Sequence, residues 1–109
     1  MDDLYEPERN TKDVYDIEEI KRRLTPVFQR YGVRKAVLFG SYAKGEARPA
    51  SDVDILVDSG LLGLAFYGFG YDVSQALQKE IDLIDACQVI GDSRIDREIR
   101  KTGVRIYGS

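Results

Sequence analysis

The sequence predicts one small α/β domain, a short sheet flanked by helices, and three observations support this. Apolar residues recur at helical spacing between residues 17 and 31. Three short runs rich in β-forming residues follow, at 33–39, 53–57 and 81–86. Helical patterns separate or follow those runs, an order that suits a layered fold. With 109 residues, 43% hydrophobic and 32% charged, the chain has the size and balance of a single globular unit.

Residues 1–15 are polar and charged without a clear period and are expected to form a leader, with the domain proper at 16–109. In the first helix Ile17, Ile20, Leu24, Val27, Phe28 and Tyr31 share one face, with Asp16 as N-cap and Gly32 as the stop. Pro26 is expected to kink this helix or restart it. The run 33–39 (VRKAVLF) reads as a buried strand, and 40–51 is turn-rich. The run 53–57 (VDILV) is the next strand, with Asp52 and Asp54 on one face and Val53, Ile55 and Val57 on the other. A helix over 62–79 places Leu62, Phe66, Phe69, Val73 and Leu77 in register, although Gly63, Gly68 and Gly70 weaken it. The aromatic residues at 66–71 are read as core packing, and Cys87 as a buried small apolar residue. A third strand is expected at 81–86 and a charged helix at 92–101 with Ile95 and Ile99 inward. Residues 104–107 form a last edge strand.

Composition removes several chemistries. There is no histidine, so His-based triads, His general bases and most zinc sites are excluded. The single cysteine allows no internal disulfide, and no apolar run is long enough to span a membrane, so a cytoplasmic protein is expected. A net charge of −3 argues against direct nucleic-acid binding. Catalysis must therefore use carboxylates, hydroxyls, Lys, Arg and hard metals.

One constellation meets that requirement: Gly40-Ser41, ten intervening residues, then Asp52-Val53-Asp54. Residues i and i+2 of a strand lie about 6.5–7 Å apart and point the same way. Two carboxylates held so repel each other unless cations or solvent take up the charge. They suit a pair of Mg²⁺ ions at the spacing used for in-line phosphoryl chemistry. Gly40-Ser41, directly after a buried strand, offers a corner where backbone approaches an anion and Ser41 caps a short helix. Lys44 and Arg48 can neutralise phosphate charge. A third carboxylate comes from the segment EIDLID, with Asp82 the first candidate and Glu80 in reserve.

The stretch LFGSYAKGEARPASDVDILVD resembles the signature of polymerase-β-like nucleotidyltransferases, and of their minimal nucleotidyltransferase (MNT) branch in particular. The resemblance covers about residues 16–107. It implies a short mixed sheet flanked by helices, with Asp52 and Asp54 as the metal-binding pair and Asp82 as the third acidic residue. Gly40 and Ser41 would be the nucleotide-phosphate contacts; Lys44 and Arg48 lie outside the invariant motif. It further implies Mg²⁺, two ions, with ATP as substrate and a helical HEPN toxin as partner. AMP would pass to a tyrosine of that toxin, the chain serving as its antitoxin, in an oligomer with it. Two alternatives stand beside this: a catalytically silent module that masks its partner by contact, and a transferase acting on small molecules or RNA.

Overall fold

The computed structural model describes residues 14–108. Most of the expected leader lies outside the described residues. Of its last two, Val14 is exposed, whereas Tyr15 is buried and donates its hydroxyl to the Leu77 carbonyl at 2.8 Å.

Helix α1 (Ile17–Tyr31) starts where Asp16 accepts the Glu19 N–H at 2.8 Å and closes on Gly32. Its buried face is Ile20, Leu24, Val27 and Phe28, as the spacing requires. Pro26 does not restart the helix. It costs one backbone rung, but the Thr25 hydroxyl donates to the Lys21 carbonyl at 2.6 Å. Buried Leu24, Val27 and Phe28 hold that turn against the sheet, so tertiary packing overrides the local penalty.

Strand β1 (Lys35–Phe39) leads into the single-turn helix α2 (Ser41–Lys44), then β2 (Val53–Asp58), α3 (Leu64–Leu77) and β3 (Ile81–Asp85). A 3₁₀ turn (Ala86–Gln88), α4 (Arg94–Thr102) and β4 (Val104–Tyr107) complete the chain. The sheet order is β3-β2-β1-β4, with β1 antiparallel to both β2 and β4 and β2 parallel to β3. This is the expected mixed sheet. One of its faces (Ala36, Leu38, Val53, Ile55, Val57 and Ile106) is buried against α1 and α3. The opposite face carries Asp54 and is approached by α4.

Helix α3 forms despite Gly68 and Gly70, because Phe69, Val73 and Leu77 are fully buried. Leu62, expected inside, precedes the helix and is 81% exposed. The aromatic cluster divides: Phe69 is in the core and Phe66 half-buried, while Tyr67 and Tyr71 point outward. Phe69 stacks near Phe28, Tyr31 and Phe66 at ring separations of 6.1, 5.2 and 6.3 Å. Phe69→Ala is expected to cost about 3 kcal/mol or more, measured by chemical denaturation. A cost below about 1 kcal/mol would contradict this packing.

Cys87 is exposed, against expectation, because it sits in the 3₁₀ turn rather than in a strand. No helix among the described residues is long and apolar enough to cross a membrane.

Candidate active site

The parallel pairing of β2 with β3 sets Asp54 directly across from Asp82. Adjacent strands lie about 4.8 Å apart, so the two carboxyl groups leave the same face side by side. Asp52 lies one residue before β2. The topology therefore sets Asp54 and Asp82 side by side, with Asp52 near enough for its charge to be felt at Asp54.

The segment EIDLID carries three acids, Glu80, Asp82 and Asp85, and the register separates them. Asp82 and Ile84 share the face of Asp54, whereas Asp85 turns toward α3 and is buried. Burial alone would push the Asp85 carboxyl up. Hydrogen bonds from the Ser59 hydroxyl and the Cys87 N–H outweigh that and hold it below the usual carboxylate range. Asp85 is thus a satisfied structural acid. Glu80 is exposed just outside β3, and its carbonyl accepts the Val53 N–H at 3.0 Å.

Asp54 is the opposite case. Burial first, then the charges of Asp82, Asp52 and Glu98, push its carboxyl up to about 6. Four acidic groups share this region, and among the described residues none makes an ion pair with Asp54, the electrostatic situation that a hard cation relieves. The donor set fits magnesium: all oxygen, no sulfur or nitrogen. Among the described residues no three such side chains are already gathered into a metal cage. Magnesium does not require one, since it keeps several waters and is usually held by one or two carboxylates plus substrate phosphates.

Gly40 ends β1 with φ 74° and ψ −150° and serves as the N-cap of α2. Ser41 is therefore the first helical residue rather than the cap. A Cβ at Gly40 would lie 2.3 Å from Asp54 Oδ2. The group that needs the missing side chain is thus the neighbouring carboxylate. The Gly40 N–H donates to Thr102 Oγ1 at 3.1 Å, and the Ser41 hydroxyl makes no hydrogen bond among the described residues.

A cleft of about 300 Å³ opens here, lined by Phe39, Asp54, Asp82, Arg94, Ile95 and Glu98. Arg94, Ile95 and Glu98 of α4 form one wall of the cleft, and Arg94 and Glu98 are not among the site residues the sequence points to. The four-residue spacing of Arg94 and Glu98 puts them on one helix face, but the sequence alone marks only the apolar Ile95 and Ile99 as inward. Arg94 makes no ion pair among the described residues. Lys44 and Arg48 are not among the lining residues. Lys44 pairs with Glu46 at 3.7 Å and borders a larger cavity of about 590 Å³ between the start of α1 and α2. Arg48 is exposed in the turn that follows, where its N–H donates to the Ser51 hydroxyl. None of the three aspartates lines that larger cavity, so the carboxylates and this volume do not coincide.

Two strand-borne carboxylates thus stand on one sheet face against a glycine-serine corner. The sequence pattern of the family described as polymerase beta, nucleotidyltransferase, matches residues 22–109, and the chain belongs to that family. A Methanocaldococcus jannaschii protein assigned as a protein adenylyltransferase is 41% identical over 73 residues, 63% of this chain and 76% of its own length. The protein adenylyltransferase MntA of Thermococcus cleftensis is 52% identical over 46 residues, 38% of this chain and 46% of that protein. The chain thus spans about three quarters of the first relative and under half of the second. In fold it is similar to a solved complex described as a tri-AMPylated Shewanella oneidensis HEPN toxin with MNT antitoxin. That match has a TM-score of 0.65 at 18% identity, over 85% of this chain and 73% of the other.

Proposed function

We propose that this nucleotidyltransferase is a Mg²⁺-dependent protein adenylyltransferase that moves AMP from ATP onto a tyrosine hydroxyl of a HEPN-type partner, and so acts as its antitoxin. The observation that carries the chemistry is Asp54 abreast of Asp82 beside Gly40. A protein acceptor and a HEPN-type partner are supported by the relatives assigned as protein adenylyltransferases and by the toxin–antitoxin complex with a chain of similar fold. A cytoplasmic site of action fits a chain with one cysteine.

In this reading Asp52 and Asp54 hold the metal, with Asp82 completing the acidic set. Magnesium bound there supplies charge neutralisation for the triphosphate and for the departing pyrophosphate. The Ser41 hydroxyl is free to donate to a phosphate oxygen, and Arg94 at the cleft wall offers a cation to the polyphosphate. Lys44 and Arg48, by contrast, would need another substrate contact to take part. Asp82, on the exposed flank of the pair, accepts the proton of the attacking hydroxyl. The acceptor oxygen then bonds to the α-phosphorus, the α–β bridging P–O bond breaks, and pyrophosphate leaves with the electron pair.

Co-expression with the HEPN-type partner tests the proposal. The partner's intact mass is expected to rise by whole AMP units with the native chain and to stay unmodified with the Asp52→Asn/Asp54→Asn variant. A partner that is neutralised yet unchanged in mass would show masking by contact and sink the enzymatic reading.

A further inference from the structure

We infer that Thr102 is a positioning residue for nucleotide binding, acting through Gly40 on Asp54. The inference deepens the proposed function and rests on it. The β1 ladder pairs Phe39 with Asp54 and goes no further, so the Gly40 N–H lies just past the last paired residue while Gly40 itself is buried. Its acceptor comes from across the sheet face, from Thr102 Oγ1 at the last turn of α4. The same hydroxyl donates to the Glu98 carbonyl at 2.9 Å. A hydroxyl has one proton and two lone pairs, so both bonds are made at once and its orientation is set.

A threonine hydroxyl bonded back to the carbonyl four residues earlier is ordinary helix behaviour. The contact to Gly40 is not. Gly40 sits at φ 74° and ψ −150°, a conformation open to glycine but not to a residue with a side chain. Asp54 Oδ2 rests against its Cα, close enough that any Cβ would collide. Turning the Gly40 peptide would therefore alter the seat of the Asp54 carboxylate and the direction of the Ser41 hydroxyl together. Thr102 holds that peptide, and α4 is anchored to the corner at this point while Glu98 and Arg94 wall the cleft one and two turns back. The connection runs from the α4 terminus, through one backbone amide, to a carboxylate proposed to bind the metal.

The test uses the full chain with Thr102→Val, which keeps the branched shape without the hydroxyl, Thr102→Ala as a second hydroxyl-free variant, and Thr102→Ser, which restores the hydroxyl. Two quantities are read: amide hydrogen exchange at Gly40, and calorimetric binding of α,β-methylene-ATP with Mg²⁺, which cannot transfer its AMP. Val and Ala are expected to speed Gly40 exchange and weaken nucleotide binding by about tenfold, the effect of one lost hydrogen bond. Ser is expected to stay within about threefold of the native chain on both measures. A merely structural role would lower the unfolding temperature of Val and Ala and leave the binding constant unchanged, and that result would overturn the inference. So would a Ser variant as weak as Val. If the native, folded chain bound no Mg²⁺–nucleotide at millimolar concentration, the proposed function itself would fall.

Discussion

Asp54→Asn is expected to make the metal-free protein more stable above pH 6 and to reduce AMP transfer about a thousandfold or more. The two effects share one cause. The Asp54 carboxyl is pushed from its usual 3.8 up to about 6 by burial and by Asp82, Asp52 and Glu98. The folded chain thus holds this proton up to about pH 6, whereas the unfolded chain releases it near pH 4. Between those values folding takes up a proton, so the contribution of Asp54 to stability falls as pH rises through the window and stays low above it. Asn carries no such charge. The difference in unfolding temperature between variant and native chain, measured with a chelator present, should be small at pH 4, grow to pH 6 and then level off. A difference independent of pH would refute the electrostatic account. The loss of transfer follows because the site would lose one of its metal ligands, and with it several kcal/mol of charge stabilisation in the transition state.

Gly40→Ala is expected to damage both the fold and the site. The new methyl would meet Asp54 Oδ2 at 2.3 Å, and φ 74° is itself unfavourable for alanine. A loss of about 2 kcal/mol or more in stability is expected. Transfer should fall by at least about a hundredfold, because the carboxylate must move aside and misplacements of about 1 Å carry penalties of that size. Gly45→Ala is the control. Gly45 shares a φ of 74°, but a Cβ there meets nothing within 4 Å, so only backbone strain of about 1 kcal/mol applies and transfer should persist. Equal loss of transfer in both variants would mean that the Gly40–Asp54 contact is not what matters.

The periodicities that are purely local proved readable. The α1 face, its Asp16 cap and its Gly32 stop can be taken from spacing alone, because a helix repeats within a few residues. The alternation in VDILVD likewise assigns Asp54 and Val53 to opposite faces before any partner strand is known. Where local signals and packing disagree, the sequence misleads. Pro26 sits inside an unbroken helix, Leu62 is exposed and Cys87 lies on the surface, since each outcome depends on what the rest of the chain places beside it.

The site divides along the same line. The parts of the proposed chemistry, paired carboxylates after a Gly-Ser corner in a chain without histidine, are set by the sequence itself, since hard oxygen donors and their spacing are local properties. The burial of Asp85 on the face opposite Asp82, the bond from Gly40 to Thr102, and the wall of Arg94 and Glu98 were decided only by tertiary structure. Strand register and helix docking join residues dozens of positions apart, and no spacing along the chain encodes which of them will touch.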